Sequence, residues 1–225
     1  TEALLLTPQG HVEQQLKIIA TDQGVLVIVA ASKLEAMLAW LTKMIFRSKV
    51  DVSKRKDLVC IGGFFDFDEP FWVDGFSLES KFSVRYAESR EEFAYREYLT
   101  DSVPTDLAPA GLLAYQALRI AVGRPEIDDI DIRSLPHEFD WLSSAVHMSK
   151  GCYRGQEAVA KVHNLGHPPR RLIILHLEQG DSLAAKDDKV FYQDKEVGTI
   201  RAGALHYEEG SIALALVNRN TPYLD

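Results

Sequence analysis

Cysteine is scarce in this sequence, and its scarcity excludes several classes of protein. Only Cys60 and Cys152 occur among 225 residues, too few for the disulfide framework of a small secreted domain. A zinc cage or an iron–sulfur cluster held by this chain alone would need about four ligands. The longest apolar run, 24–31, is far shorter than the ~18 residues of a membrane span. Because no signal peptide precedes Thr1, we expect a cytoplasmic protein with no membrane association.

Three common catalytic motifs are missing too. The sequence contains no phosphate-binding P-loop, no dinucleotide-binding G-x-G-x-x-G and no G-x-S-x-G serine elbow. ATP hydrolysis, dinucleotide redox chemistry and α/β-hydrolase chemistry are therefore unsupported. The formal charge of −8 gives no overall attraction to a phosphate backbone. We expect no direct nucleic-acid partner.

The composition is that of an ordinary globular protein, with 46% hydrophobic and 26% charged residues. Strands and helices alternate up to residue 167, whereas short strands at regular spacing follow from residue 170. The second pattern is typical of small antiparallel barrels. We therefore predict an α+β protein with two parts. A mixed α/β body of two intertwined subdomains occupies 1–167, and a C-terminal antiparallel β-barrel occupies 170–225.

The individual elements follow from hydrophobic periodicity and from turn and capping residues. Thr7–Gly10 is a predicted turn, and Ser32-x-x-Glu35 and Ser89-x-x-Glu92 are capping-box signatures. The strands of the body are predicted at 4–6, 11–20, 24–31, 50–52, 58–61 and 81–87. Its helices are predicted at 33–46, 90–101, 109–122 and 156–163, with an irregular segment at 64–80. The strands of the barrel are predicted at 172–177, 190–192, 196–201 and 212–217.

The most informative stretch is 150–157, with the sequence Lys-Gly-Cys-Tyr-Arg-Gly-Gln-Glu. Cys152 lies just before a predicted helix, and the cations Lys150 and Arg154 flank it. A helix N-terminus and neighbouring cations both favour the thiolate, so a reactive or ligand-bearing cysteine is expected. The local sequence leaves open that it is a small buried hydrophobe. Cys60, inside an apolar strand without a cationic neighbour, is expected to be inert.

Arg119 lies on or beside the apolar stripe of the predicted helix 109–122. A guanidinium that is nearly buried needs an anionic partner. The partner is either a carboxylate of this chain, in a structural ion pair, or the carboxylate of a ligand. The local sequence leaves both alternatives open.

Two histidines have the spacing of a helical metal pair, but no metal site is predicted there. His163 and His167 are four residues apart. Gly166 and Pro168 argue against a helix that runs through both. A helix C-cap with Gly166 in the left-handed conformation is the favoured interpretation.

The segment 150–157 resembles the signature of the YgfZ-type folate-binding proteins, which are relatives of the glycine-cleavage T-protein, an aminomethyltransferase. The resemblance extends over nearly the whole chain, and the octapeptide is its most specific part. Other similar segments are the first hairpin at 6–11, the helix and turn at 117–125, and the segments 132–138 and 163–171. The last two are similar to the actinobacterial branch of the family. The chain is expected to lack the family's leading segment before the first hairpin.

The resemblance implies a fold and a function. Two α/β domains and a C-terminal β-barrel would surround a central channel that holds tetrahydrofolate or a one-carbon derivative. The protein, expected to be a monomer, would assist assembly or repair of iron–sulfur enzymes, with iron–sulfur client or assembly proteins as partners. Cys152 would be the essential reactive residue. The residues expected to contact folate are Arg119, Lys150, Tyr153, Gln156 and Glu157.

One departure separates this chain from the T-protein. The T-protein carries an acidic pair in the second strand of this hairpin, and its aspartate acts on a folate nitrogen during aminomethyl transfer. Gln14 and Gln15 stand at those positions here. Because an amide cannot accept the proton or carry the negative charge, we expect no aminomethyl transfer. The alternatives are an aminomethyltransferase-like enzyme and a non-catalytic scaffold that affects tRNA thiolation indirectly.

Overall fold

The computed structural model describes residues 1–76, 92–105, 107–178 and 183–222. These residues form a mixed α/β structure with three antiparallel sheets and three α-helices. The first sheet contains β1 (Glu2–Leu6), β2 (Val12–Thr21) and β3 (Gly24–Ile28). The second contains β4 (Val59–Gly63), β5 (Phe71–Val73) and β6 (Arg96–Thr100). The third contains β7 (Arg170–His176), β8 (Lys189–Tyr192), β9 (Lys195–His206) and β10 (Gly210–Asn218).

The helices agree with the sequence in kind and differ from it at their ends. They are α1 (Leu34–Met44), α2 (Leu112–Ala121) and α3 (Gln156–Leu165), and three short 3-10 helices cover Ala31–Lys33, Ile127–Asp129 and Pro136–Phe139. The α2 helix begins three residues after the predicted Pro109. None of the described helices is long and apolar enough to cross a membrane.

Two predicted helix caps are wrong. The capping box at Ser32 does not form, because α1 has no side-chain cap and the Ser32 hydroxyl donates to Asp128 Oδ1 at 3.4 Å. Gly166 follows α3 but is not left-handed, since its φ of 169° is extended backbone. In both places a tertiary contact or an extended exit replaces the local cap that the sequence favours.

The predicted helix 90–101 is wrong as well, because this segment contains strand β6. The order of the second sheet is β4-β6-β5, so β6 lies in its middle and has a hydrogen-bonded neighbour on each side. Tyr98 faces Ile61 on β4 and Phe71 on β5. Such cross-strand contacts of aromatic and β-branched residues stabilise a strand, and here they outweigh the capping signal, whose Ser89 lies outside the described residues. The predicted strand 81–87 lies outside them too.

A third correction concerns residues 45–58. No strand forms at 50–52, where Val50 is 56% exposed and the backbone is irregular. The first sheet also ends earlier than expected, at Ile28 rather than at residue 31. The segment 64–80 is irregular as predicted up to residue 70, and β5 then interrupts it.

The four strands predicted for the C-terminal part are confirmed, but the closed barrel is not observed. Their order is β7-β10-β9-β8, which leaves β7 and β8 as edges among the described residues. Strand β10 is buried from Ser211 to Val217. Its side chains enter one hydrophobic cluster on each face, because Leu214 packs with Trp141 and Val159 of the body while Ala215 packs with Ile200. Strand β10 therefore reads as a continuous apolar run.

Candidate functional site

A cavity of about 560 Å³ opens beside the first hairpin. Its walls come from the β1–β2 hairpin, the start of α1, the segment 127–132 and the C-terminal part of the chain. The polar and aromatic side chains in these walls include Thr7, Glu13, Gln14, Trp40, Asp131 and Lys186. A volume of this size suits a small organic ligand, since such pockets measure roughly 300–1,000 Å³.

A β-bulge places Glu13 in the cavity wall. Leu5 pairs with Gln14 and Leu6 pairs with Val12, so Glu13 is an extra residue in β2. An extra residue bends its strand and turns a side chain in a new direction, which is why bulges often border functional sites. The Glu13 carboxylate lines the cavity and also accepts a hydrogen bond from Arg154 Nη1 at 2.7 Å.

Gln14 and Gln15 have different surroundings, although both are 6% exposed. Gln15 is bound within the protein: its Nε2 donates to Glu2 at 2.7 Å, and its Oε1 accepts from the Ile127 amide at 3.0 Å. Gln14 lines the cavity, and its Oε1 has no hydrogen-bond partner among the described residues. A buried polar atom left unpaired costs about 1–3 kcal/mol. Gln14 is therefore the group that a polar ligand would satisfy.

Charged groups hold the segment 127–132 in place. Arg170 Nη1 donates to Asp131 Oδ2 at 2.7 Å, and Lys186 Nζ donates to the carbonyl of Asp128. Arg170 also donates to Glu138, which ties β7 to the body. Partial burial opposes ionisation of Asp131, but the hydrogen bonds from Arg170 and nearby groups lower its pKa to about 2. This wall of the cavity is thus fixed from both parts of the chain.

Arg119 has a protein partner, which supports the structural ion pair. Its Nη1 donates to Asp129 Oδ2 at 2.7 Å and its Nη2 to Oδ1 at 3.2 Å. Its Nε donates to Gln116 at 2.7 Å, and only 3% of the side chain is exposed. A ligand role for Arg119 assumed a guanidinium without a carboxylate partner from the chain, and that premise is wrong.

A second buried arginine, Arg124, completes the support beneath the hairpin. Its Nη2 donates to Glu2 at 2.8 Å and its Nε to Asp74 at 2.7 Å. All three side chains are 2% exposed. Since Glu2 also accepts from Gln15, the buried charges fix β1 and β2 together next to the cavity.

The loop 150–157 packs against the turn of the same hairpin. Gly155 has φ +82°, and a Cβ there would lie 2.6 Å from the Thr7 carbonyl. Gly10 faces it from the hairpin with φ +81°, and a Cβ there would lie 2.9 Å from Ala158 Cβ. Only glycine allows this close approach. The loop therefore lies directly beside Thr7, which lines the cavity.

Cys152 is exposed in this loop. Lys150 Nζ lies 4.8 Å from the centre of the Tyr153 ring, and Tyr153 packs partly into the core. Gln156 is the first residue of α3, with Glu157 in its first turn. The octapeptide is therefore an open loop with one aromatic anchor.

A buried histidine supports α3 from below. His137 is 1% exposed, and its Nε2–H donates to the Val159 carbonyl at 3.1 Å. Burial lowers the pKa of His137 to about 4, because an imidazolium would lose its hydration. His137 is thus neutral at physiological pH.

None of the six residues singled out by the sequence lines this cavity. Cys152, Lys150 and Tyr153 lie in the adjacent loop, Gln156 and Glu157 lie in the first turn of α3, and Arg119 is in its ion pair. Sequence reasoning missed Glu13, Asp128, Asp131 and Lys186 as wall residues. No local pattern marks them, because residues 127–132 read Ile-Asp-Asp-Ile-Asp-Ile without a regular period, and Asp129 is buried whereas Ile132 is exposed.

The other cysteine has a very different environment. Cys60 lies in β4, where its Sγ is 3.8 Å from Glu97 Oε2. Although part of the residue is exposed, desolvation of the thiol and the adjacent carboxylate raise its pKa to about 12. We therefore expect Cys60 to be unreactive.

Comparisons with known proteins agree with the fold. No protein-family model matches the chain. The crystal structure of glycine cleavage system aminomethyltransferase T from Bartonella henselae superimposes with a TM-score of 0.66 over 97% of this chain and 68% of that protein. Sequence identity to it is 14%, so the likeness shows a T-protein-like fold alone.

One curated protein shares sequence over a shorter region. An Arabidopsis thaliana chloroplast protein named "putative transferase" is 33% identical over 90 residues. The match covers 36% of this chain and 20% of that protein. It is thus a partial relative, and its alignment spans a fifth of its own length.

Proposed function

We propose that the cavity binds tetrahydrofolate or a one-carbon derivative, and that the protein is a YgfZ-type accessory factor for iron–sulfur enzymes that acts through Cys152. The main support for this proposal is the contact between the cavity wall and the octapeptide 150–157, which we call the junction. Glu13 in the cavity wall is bound to Arg154, two residues after Cys152. The T-protein-like fold and the octapeptide resemblance support the same function.

The residues in the cavity fit a folate. A folate has a planar ring with amide donors and acceptors and an acidic glutamate tail. Gln14 offers the ring an unpaired amide oxygen, and Trp40 offers an aromatic surface. Lys33 and Lys186 supply positive charge for the tail. Arg119 has no place in this assignment, because its guanidinium is bound to Asp129.

Cys152 would act together with a partner protein. The protein has one exposed cysteine flanked by cations and a second whose pKa is raised to about 12. One thiolate cannot hold a cluster alone. Any cluster or sulfur chemistry is therefore shared with an iron–sulfur client or assembly protein that binds at the open loop.

Aminomethyl transfer is the less favoured function. Gln14 and Gln15 present amides where that reaction needs a carboxylate. Gln15 is also occupied by Glu2 and Ile127, so it is not available to a ligand. The accessory role needs only binding at Gln14.

Calorimetry with tetrahydrofolate tests the ligand. We expect the wild type to bind and Gln14→Leu to bind about fivefold to tenfold more weakly, since a hydrogen bond contributes about 1–1.5 kcal/mol. The same substitution removes a buried unpaired atom, so the free energy of unfolding should stay equal or rise. Gln9→Leu, an exposed position in the same hairpin, is the matched control and should stay within about twofold of the wild type. Absence of binding, or equal binding by Gln14→Leu, would contradict the proposal.

Genetic complementation tests the iron–sulfur role. In a strain that lacks the endogenous protein, Cys60→Ser should restore iron–sulfur enzyme activity and Cys152→Ser should not. The two substitutions are chemically identical and differ only in surroundings. Full complementation by Cys152→Ser would show that the octapeptide is a structural loop.

A further inference from the structure

We infer that Glu13 and Arg154 couple occupancy of the cavity to the reactivity of Cys152. Glu13 belongs to both sides of the junction. Its side chain lines the cavity, and its Oε2 accepts a hydrogen bond from Arg154 Nη1 at 2.7 Å. Glu13 is thus a positioning residue, which acts on Cys152 through Arg154. The ligand arm of this inference rests on the proposed function, whereas the coupling between Glu13 and Cys152 does not.

The pair is weak enough to open. The Arg154 and Glu13 side chains are 38% and 37% exposed. Exposed ion pairs shift an equilibrium by only about fivefold or less. A ligand that presents N–H donors to Glu13 forms a charge-assisted hydrogen bond of comparable or greater strength. Such a ligand therefore competes with Arg154 for the Glu13 carboxylate.

Release of Arg154 changes the charge around Cys152. While Arg154 is paired, Glu13 neutralises one of the two cations in the octapeptide. Once Arg154 is released, its guanidinium is available to the Cys152 sulfur, two residues away in the sequence. Nearby unpaired cations raise the thiolate fraction of a cysteine and its rate of alkylation. An occupied cavity should therefore have a more reactive Cys152.

The loop 150–157 can respond to the release of Arg154 because its C-terminal end, at Gly155, is held against the hairpin. Gly155 and Gly10 pack so closely that neither accepts a Cβ without a backbone shift or a displaced neighbour. The change is therefore confined to the Arg154 side chain and the exposed residues before it. Gln14, next to Glu13 in β2, is buried with an unpaired oxygen in the same cavity. It offers a polar ligand a hydrogen-bond acceptor in the same wall.

The first experiment needs no ligand. The rate of iodoacetamide alkylation at Cys152 is followed by mass spectrometry of the modified peptide at fixed pH. Glu13→Gln removes the negative charge that neutralises Arg154, so it should mimic the occupied state and react about threefold to fivefold faster than the wild type. In an Arg154→Gln background the same substitution should have no effect, because the released cation is missing. Asp57→Asn breaks another exposed pair, Arg55–Asp57, and should leave the rate unchanged.

The decisive comparison is between Glu13→Gln alone and Glu13→Gln combined with Arg154→Gln. Equal rates in Glu13→Gln and the wild type would overturn it. An acceleration that persists with Arg154→Gln would also overturn it, since a general charge effect would then suffice. Saturating tetrahydrofolate provides the second arm and should accelerate alkylation in the wild type but not in Glu13→Gln. If calorimetry shows no binding, the proposed function fails while the ligand-free result still decides the coupling. If tetrahydrofolate binds without any acceleration, the coupling is wrong and the proposed function stands.

Discussion

The two cysteines lie in regions whose charged neighbours have opposite signs. Cys60 belongs to a regular strand, and its nearest charged partner is the buried carboxylate of Glu97. Lys17 is close as well, and its ammonium binds Glu97 at 2.5 Å, but its lowering effect on the pKa of Cys60 is smaller than the effects of desolvation and of Glu97. Cys152 belongs to an exposed loop in which Lys150 lies over the Tyr153 ring and Arg154 binds the exposed carboxylate of Glu13.

The difference shows that desolvation of the sulfur and the sign of the neighbouring charge act together, although part of each residue is exposed. Both cysteines have exposed surface. At Cys60 desolvation of the thiol and, in second place, the Glu97 carboxylate oppose the negative charge of a thiolate, so the pKa rises to about 12. At Cys152 the neighbours in the sequence are the cations Lys150 and Arg154. The proposed function therefore assigns the chemical role to the loop cysteine and none to Cys60.

The largest expected effect concerns His137, the buried histidine that binds α3 next to the Cys152 loop. Burial lowers the pKa of His137 to about 4 from its ordinary 6.5. Between these pH values the unfolded chain binds a proton that the folded chain does not, so stability falls as the pH drops from 6.5 to 4. The loss amounts to about 3 kcal/mol. His137→Gln keeps an N–H donor for Val159 but cannot titrate, so its unfolding free energy should lack this part of the slope.

Urea unfolding at pH 7 and pH 4.5 measures the effect. The stability difference between wild type and His137→Gln should shrink or reverse at the lower pH. His176→Gln is the control, because the His176 side chain is 64% exposed. This substitution should alter the difference in unfolding free energy between the two pH values by less than about 0.5 kcal/mol. A difference that is the same at both pH values would show that His137 does not support α3 as a neutral imidazole.

The sequence predicted the surroundings of Cys152 better than those of Cys60. The octapeptide carries its own turn glycines, cations and helix start within eight residues, so local rules suffice. The surroundings of Cys60 depend on Glu97, which is distant in sequence and was expected in a helix. Once that segment forms β6, Glu97 pairs opposite Gly62 and reaches the thiol. Tertiary pairing decided this region, and no local pattern contains it.

The same reasoning explains the rest of the candidate site. Helices α1 and α3 and the first hairpin follow from local periodicity and turns. The cavity wall does not, because Asp128, Asp131 and Lys186 meet only when the C-terminal part packs on the body. Arg119 illustrates the limit: its helix was predicted, but its partner Asp129 is reached through a turn whose geometry the sequence did not reveal.

A smaller effect concerns the alkylation rates of the two thiols. A thiol of pKa about 12 has a thiolate fraction roughly 3,000-fold below that of an unperturbed thiol of pKa about 8.5. Greater intrinsic nucleophilicity recovers about half of this on a logarithmic scale. We therefore expect Cys60 to alkylate roughly fiftyfold more slowly than an unperturbed thiol at pH 8. It should also react more slowly than Cys152, when the two rates are measured in Cys152→Ser and Cys60→Ser respectively.

The cause of that ratio can be separated with one further substitution. Glu97→Gln removes the carboxylate but leaves an amide oxygen to accept from Lys17, so the strand pairing has no reason to change. Cys60 should then alkylate about fivefold faster, while desolvation keeps it slower than Cys152. Glu69→Gln, at an exposed position in the same part of the chain, is the control and should have no effect. If Cys60 reacts as fast as Cys152 before Glu97 is changed, the charge argument fails for both cysteines. If Glu97→Gln leaves the alkylation rate of Cys60 unchanged, burial alone accounts for its low reactivity. The charge argument would then apply only to Cys152.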